Sequence, residues 1–140
     1  HSSLHSFPTR RSSEIGRASC RERVYSTRTF TADEIAKYSA LTGDTSFDEG
    51  CIPGPMLGGM VSDLLGTKVP GRGTMWLKQR YEFPAPAHVG EAITASVEIS
   101  RLRPEKDLVY LNVQCVNPQG QVVCKGETLV FVADLESARQ

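Results

Sequence analysis

Three carboxylates lie close together in the sequence, between two segments that have helical patterns. They are Asp44, Asp48 and Glu49. Two carboxyl groups that approach each other do not both ionise easily, so the pKa of one rises towards the range of a general acid. Aspartate beside glycine is also a common polar residue at the end of a helix. The residue types alone therefore permit acid–base chemistry at Asp44 without requiring it.

The other reactive side chains are few. His88 is the single histidine after residue 24 and lies in a loop between two predicted strands, where a solvated histidine is the ordinary case. The four cysteines, at positions 20, 51, 115 and 124, form no CxxC pair, and no histidine stands at metal-ligand spacing. Cys115 and Cys124 flank a turn, so they are either a disulfide or, as we favour, two reduced and buried thiols. We expect neither a metal nor a cofactor.

The length and charge of the chain limit its possible roles. Its 140 residues are enough for one domain with its own core. The 16 basic residues balance the 16 acidic ones, which gives no electrostatic reason to expect nucleic acid or an anionic membrane as partner. No apolar run approaches the roughly 20 residues that cross a bilayer. We therefore expect a soluble, cytoplasmic protein.

Residues 1–24 differ in composition from the rest of the chain. They include six serines and five arginines, and their apolar residues have no periodicity. Glu14 and Glu22, and the lack of an amphipathic face, argue against a transit peptide. The segment looks like translated adapter sequence. We predict that residues 1–24 are non-native and disordered, and that residues 25–140 form the domain.

Two helices are predicted in the first half of this domain. Thr31 and Glu34 have the spacing of a capping box, and a helical pattern continues to Leu41 before Gly43 ends it. A second helix opens at Pro53-Gly54-Pro55 and continues to Leu65. This helix is apolar almost all round and contains several small residues. It should therefore be buried, and something should approach its backbone closely.

The second half of the domain has the two-residue period of strands. Alternating patterns predict strands at Met75–Phe83, Ile93–Ile99 and Val109–Cys115, and a fourth strand that ends near Val132. Helices followed by long strands at hairpin spacing indicate an α+β domain with an antiparallel sheet. An antiparallel sheet that curls around one central buried helix is the description of a hot-dog fold.

The stretches "FTADEIAKYSALTGD", "GPMLGGMVSDLLGTKVPGRGTMWLKQRYEFPAPAHVGE" and "ITASVEISRLRPEKD" carry a family resemblance. From Thr29 to Val132 the chain resembles the MaoC-like dehydratases, and most closely the R-specific enoyl-CoA hydratases. The resemblance implies interconversion of a trans-2-enoyl thioester and its R-3-hydroxyacyl form. It implies no cofactor besides the CoA or carrier-protein thioester itself, and a homodimer in which the two sheets join.

The same resemblance implies site residues. The family motif reads Gly-Asp-x-Asn-Pro-x-His, and Gly43-Asp44-Thr45-Ser46 matches its start, so Asp44 corresponds to the catalytic aspartate. The motif histidine and the segment around it have no counterpart here. Gly54 corresponds to the glycine whose N–H faces the thioester oxygen, and Ser62 to a serine that faces the aspartate. We expect the apolar stripe of this helix to be principally core, and part of it to line the acyl tunnel, with Met56, Leu57 and Leu65 as substrate-binding residues.

The sequence leaves three functions open. The first is an enoyl-thioester hydratase impaired by the missing histidine, with Asp48, Glu49 or His88 as conceivable substitutes. The second is a non-catalytic dimer that binds acyl-CoA. The third is a thioesterase, because other hot-dog proteins hydrolyse thioesters with a carboxylate and a helix N-terminus.

Overall fold

The computed structural model describes residues 22–133, which form two helices and one five-stranded antiparallel sheet. The strands follow the order β1-β3-β4-β5-β2 across the sheet. The elements are β1 (Arg23–Thr29), α1 (Ala32–Thr42), α2 (Gly54–Thr67), β2 (Thr74–Glu82), β3 (Ala92–Arg103), β4 (Leu108–Val116) and β5 (Val122–Val132), with a 3-10 turn at Pro104–Lys106.

Strand β1 was not predicted from the sequence. It pairs with β3, from Arg23 opposite Glu98 to Thr29 opposite Ala92. Its residues are mostly polar, with Val24 as the one aliphatic side chain, so the two-residue period is faint. Residues 23 and 24 are thus part of the sheet, although the sequence assigned them to the non-native segment. The expectation for residues 1–21 lies outside the described residues.

Helix α1 begins and ends as the sequence predicts. Thr31 Oγ1 accepts a hydrogen bond from Glu34 N at 3.2 Å, and Glu34 Oε1 accepts one from Thr31 N at 3.0 Å. Gly43 ends the helix with φ of 79° and donates its N–H to Ser39 O at 2.7 Å. Glycine adopts this left-handed conformation without a steric penalty. The sharp stop fixes where Asp44 leaves the helix.

Helix α2 supplies much of the core. Leu57, Met60, Val61, Leu64 and Leu65 are buried, and the helix packs chiefly against β3 and β1. Full burial of such a side chain contributes about 1.5–3 kcal/mol. The helix ends at Thr67, one residue after the predicted stop at Gly66. Among the described residues, neither helix combines the length and apolarity needed to span a membrane.

Strand β2 lies at an edge of the sheet, where β5 is its single partner among residues 22–133. A bulge between Trp76 and Lys78 interrupts its register. Met75 and Leu77 are 59% and 49% exposed, and Phe83, directly after the strand, is 49% exposed. An exposed edge with apolar side chains is a surface on which another strand can pair.

The cysteine pair in the second hairpin is reduced. Cys115 in β4 lies directly opposite Cys124 in β5, and both are fully buried free thiols. The hydrogen bond to Cys124, followed by burial, raises the pKa of the Cys115 thiol. The sequence favoured this state over a disulfide.

Candidate active site

A cavity of about 600 Å³ lies between α2 and the edge strand β2. Gly54, Gly58 and Ser62 follow one another at intervals of four residues, which places them on one face of the helix. Aromatic side chains from β2 and the residue after it form the opposite wall. The complete lining is Gly54, Pro55, Gly58, Gly59, Ser62, Trp76, Gln79, Tyr81 and Phe83.

The N-terminus of α2 presents a backbone donor at this cavity. Pro53 is the N-cap in an extended conformation, and no side chain caps the helix. Pro55 has no N–H, and Met56 N already donates to Pro53 O at 3.0 Å. The first turn therefore offers the Gly54 N–H, together with the partial positive charge of the helix dipole. Such a position stabilises negative charge on a ligand oxygen.

A side chain at position 54 would meet the ring of Phe83. A Cβ added to Gly54 would lie 2.8 Å from Phe83 Cζ, closer than real Cβ atoms approach a neighbour. A Cβ on Gly58, one turn later, would lie at ordinary contact distance, 3.8 Å, from Tyr81 Cε2. The close approach to the helix backbone predicted from its small residues is thus made by aromatic rings.

Asp44 is held in a fixed orientation by three hydrogen bonds. Tyr38 Oη donates to Oδ2 at 2.8 Å, while Ser46 donates to Oδ1 from its hydroxyl at 2.6 Å and from its N–H at 2.9 Å. The Tyr38 ring in turn contacts Phe47 edge-on, with centroids 6.1 Å apart. The Ser46 hydroxyl, then the Ser46 N–H and Tyr38, lower the pKa of Asp44. Asp44 is therefore an oriented carboxylate that stays ionised.

The predicted site residues fall into three places. Gly54 and Ser62 share the cavity, while Asp44 is half-buried after α1 and is not part of the cavity lining. Met56 lines a separate cavity of about 460 Å³ between α2 and β1. Leu57 and Leu65 are each 2% exposed and lie in the core, in the lining of neither cavity.

The β2 side of the cavity was not recognised from the sequence. The two-residue period predicted that Met75 and Leu77 lie on the same face of β2 as Tyr81. Because of the bulge between Trp76 and Lys78, Trp76 lines the cavity with Tyr81, and Met75 and Leu77 do not. Trp76 Nε1 donates to Thr128 Oγ1. The Tyr81 hydroxyl is buried without a hydrogen-bond partner, and burial raises the pKa of this phenol. Tyr81 is thus neutral at ordinary pH.

The other acid–base candidates lie outside this cavity. Asp48 and Glu49 are exposed and absent from its lining. Glu91 contacts His88 at two places. Glu91 Oε1 accepts a hydrogen bond from the backbone N–H of His88 at 2.9 Å, and it lies 3.5 Å from the ring atom Nδ1. Within residues 22–133, no group of three or more histidine, cysteine or acidic residues is arranged to hold a metal ion.

Two known proteins that are similar to this chain are (R)-specific enoyl-CoA hydratases. The (R)-specific enoyl-CoA hydratase of Aeromonas caviae is 32% identical over 114 residues, which cover 72% of this chain and 85% of that protein. The hydratase of the same name from Rhodospirillum rubrum is 30% identical over 118 residues, which cover 75% of this chain and 81% of that protein. No protein-family model matches the chain.

Solved structures support the fold. The structure of the (R)-hydratase from A. caviae involved in PHA biosynthesis superposes with a TM-score of 0.76 at 28% identity, and covers 81% of this chain and 96% of that one. The R-hydratase PhaJ1 from Pseudomonas aeruginosa superposes with a TM-score of 0.74 at 23% identity. The predicted α+β hot-dog fold is confirmed.

The contact between Gly54 and Phe83 predicts a coupled pair of substitutions. Gly54→Ala should destabilise the fold by at most about 1 kcal/mol, because the half-exposed Phe83 ring can move away from the new methyl group. Phe83→Leu in the same chain should recover part of this loss, with a coupling free energy of about 0.5 kcal/mol or more in a double-mutant cycle measured by urea unfolding. Gly59→Ala is the control, because a Cβ there meets nothing within 4 Å. Strictly additive effects at Gly54 and Phe83 would contradict the proposed clash.

The hydrogen bonds of Asp44 predict its titration. Ser46→Ala should raise the pKa of Asp44 towards its ordinary value of 3.8, as measured by carboxyl NMR titration. The lowered pKa means that this carboxylate stabilises the fold above pH 3.8, and that the contribution is lost as pH falls through the lowered value. Thr45→Ala, which alters the neighbouring exposed residue, should leave the titration unchanged. If Asp44 has the same pKa in Ser46→Ala as in the parent chain, Ser46 does not stabilise its carboxylate and the prediction is wrong.

Proposed function

The chain belongs to the R-specific enoyl-CoA hydratase family, and on that premise we propose that it binds an acyl thioester at the N-terminus of α2. The proposed reaction is the interconversion of trans-2-enoyl and R-3-hydroxyacyl thioesters, at a rate reduced by the missing histidine. The observation that carries the proposal is the uncapped first turn of α2, whose Gly54 N–H is available beside a cavity of about 600 Å³.

The position of Gly54 suits the charge that develops in this reaction. When water adds to the β-carbon of an enoyl thioester, the electron pair of the double bond moves towards the thioester oxygen and forms an enolate. The Gly54 N–H and the helix dipole would stabilise that oxygen as its charge grows. Removal of one such donor typically costs about 10²–10³-fold in rate.

Asp44 would orient the attacking water and accept its proton. Its carboxylate is ionised and fixed by Tyr38 and Ser46, which suits the binding of a water molecule in one direction. The proton taken from water by Asp44 would then have to pass to the α-carbon of the enolate. The motif histidine, which has no counterpart in this chain, would assist that transfer. A general acid or base is worth about 10²–10⁴-fold, so turnover should be slower than in relatives by that order.

One observation favours a second candidate, a hot-dog protein that binds acyl thioesters without converting them. Tyr81 is the one titratable side chain in the lining of the cavity, and its pKa is raised. A neutral phenol neither takes a proton from water nor carries charge near a bound thioester. Binding would then depend on the Gly54 N–H and the aromatic wall alone.

We further propose that the chain forms a homodimer through β2, in the cytoplasm. The open edge of β2 and its exposed apolar side chains fit pairing with the same strand of a second copy, which would join the two sheets. The reduced thiols of Cys115 and Cys124 fit a reducing compartment.

The proposed dimer predicts the effect of a charge on β2. Met75→Lys should convert the dimer into a monomer in sedimentation experiments, because the apolar edge would then carry paired lysines across the interface. Leu41→Lys is the matched control, since Leu41 is 86% exposed and belongs to α1 rather than to β2. A parent chain that sediments as a monomer would argue against this interface.

The hydratase proposal predicts slow loss of the enoyl absorbance of crotonyl-CoA. Asp44→Asn should lower this rate by at least about 10²-fold, because asparagine cannot accept the proton from water. Asp33→Asn is the control, since the Asp33 carboxylate is 76% exposed on α1 and pairs with Lys37. Turnover that survives Asp44→Asn would remove Asp44 from the mechanism.

The same assay separates the alternatives. Binding of crotonyl-CoA by calorimetry without turnover would support the binding protein. Release of free CoA thiol would indicate thioesterase activity. A chain in which the missing motif segment with its histidine is restored should gain about 10²–10⁴-fold in hydration rate if the absence of that residue limits the reaction.

A further inference from the structure

Cys115 and Cys124 lie directly opposite each other on neighbouring strands. The register of β4 and β5 pairs the two residues, and both side chains are fully buried in the core that also contains the apolar side chains of α2. Opposite residues of an antiparallel pair have Cα atoms about 4.5–5.5 Å apart. This separation lies within the range of about 4.4–6.8 Å that a disulfide spans. The two sulfurs can therefore be joined without rearrangement of the strands.

The two thiols differ in acidity. The hydrogen bond with Cys115 lowers the pKa of Cys124, whereas the same hydrogen bond and burial raise the pKa of Cys115. The thiolate is the reactive form of cysteine, so Cys124 is the sulfur that reacts first. Cys115 remains a thiol beside it. A cysteine of lowered pKa next to a second thiol that can resolve its oxidised form is the arrangement of redox-sensitive pairs.

The end of the hairpin is the route by which a small oxidant reaches these buried thiols. A bulge interrupts the register directly after Cys115, and the turn from Asn117 to Gly120 follows it. A bulge leaves a residue outside the ladder of strand hydrogen bonds. The end of a hairpin opens locally more readily than the centre of a sheet. Hydrogen peroxide is scarcely larger than water, so a brief opening there admits it.

Tyr81 connects the thiol pair to the cavity beside α2. It lies opposite Gly126 of β5, and Cys124 is two residues from that glycine on the same face of the strand. The Tyr81 hydroxyl is buried without a hydrogen-bond partner, and the sulfurs of Cys124 and Cys115 add to the effect of burial in raising its pKa. The ring itself lines the cavity, where Cε2 lies 3.8 Å from the position of a Cβ on Gly58. A movement of the sulfurs therefore reaches the cavity through one side chain.

We propose that Cys115 and Cys124 are a redox switch, in which peroxide joins the two sulfurs and the resulting shift of Tyr81 weakens the binding of an acyl thioester. The effect on binding rests on the proposed function, whereas the formation of the disulfide does not. The sulfur of Cys124 attacks one peroxide oxygen, the O–O bond breaks, and the departing hydroxide leaves as water with the thiol proton. The sulfur of Cys115 then displaces the hydroxyl group of the sulfenic acid, which leaves as water with the second thiol proton. Both sulfurs are oxidised, and the peroxide is reduced to water.

The disulfide changes the space next to the Tyr81 hydroxyl. Bonded sulfurs are about 2.05 Å apart, which is much closer than two thiols in van der Waals contact. The sulfurs therefore move together and leave space beside the phenol. The ring moves into that space and away from Gly58, so an acyl chain in the cavity loses contact with it. Coupling between two sites is reciprocal, so a bound thioester should make the pair harder to oxidise to the same extent.

The first test treats the folded full chain with hydrogen peroxide. We expect peptide mapping to find Cys115 joined to Cys124, with a mass two hydrogen atoms below that of the dithiol, and dithiothreitol should reverse the change. Cys124→Ala should abolish this link. Cys51→Ser is the matched control and should retain it, since Cys51 lies outside the β4–β5 hairpin. A chain in which Cys51 is oxidised while Cys115 and Cys124 stay unlinked overturns the switch.

Trp76 reports the movement of Tyr81 without any ligand. It is the single tryptophan of the chain, and its ring centroid lies 6.3 Å from that of Tyr81. Formation of the disulfide should change the fluorescence of Trp76 in the parent chain, and the same treatment of Cys124→Ala should not. Tyr81→Phe should reduce the change, because a ring without the hydroxyl does not extend to the sulfurs. Unchanged fluorescence in the oxidised parent chain overturns the movement of Tyr81.

Calorimetry with butyryl-CoA tests the link to the cavity. The affinity of the oxidised chain should be lower than that of the reduced chain by about fivefold or more, the range of coupling common between two sites. Cys124→Ala should bind equally before and after peroxide. Equal affinities of the reduced and oxidised parent chain overturn the link and leave the thioester site intact. Absence of binding to the reduced chain overturns the thioester site and the effect on binding, while peptide mapping still decides whether the disulfide forms.

Discussion

The contact between the glycine face of α2 and the aromatic side chains of the β2 edge is the constraint on which the candidate site depends. On its other faces, α2 is fixed to the sheet by fully buried leucine and valine side chains. With glycine at position 54, the Phe83 ring lies against the first turn of α2, where a Cβ would meet it. The core therefore sets the position of the helix, and the glycines determine that its N-terminus faces a cavity rather than packed side chains.

Much of this architecture could be predicted because its signals are local. The capping box of Thr31 and Glu34, the stop at Gly43 and the apolar run of α2 each specify a structure within a few residues. Strand β1 escaped prediction because its pairing with β3 depends on residues about 70 positions away, while its own side chains are mostly polar. The β2 bulge likewise shifts the two-residue period after Trp76, and no residue type in the strand indicates that a bulge occurs there.

The candidate site was predictable only in part, for related reasons. The order of residues places Gly54 and Ser62 on one helix, and helical spacing then brings them to one cavity. Asp44 follows a different helix, and where its carboxylate points depends on Tyr38 and Ser46. The bridge between Cys51 and His88 joins two loops, and their residue types alone favoured a solvated histidine. Contacts between loops depend on the whole fold, so a pattern along the chain does not reveal them.

The segment between Asp44 and α2 is the part of the chain that departs from the hydratase motif. In the hydratase motif this segment carries the histidine, which would complete proton transfer beside the aspartate. Here the chain passes instead through Gly50 and Cys51, which pair with the 87–89 loop before α2 begins. In the function proposed above, the Gly54 N–H would stabilise charge on the thioester oxygen. Asp44 would then be the residue that orients water, because the His88 side chain lies outside the cavity lining.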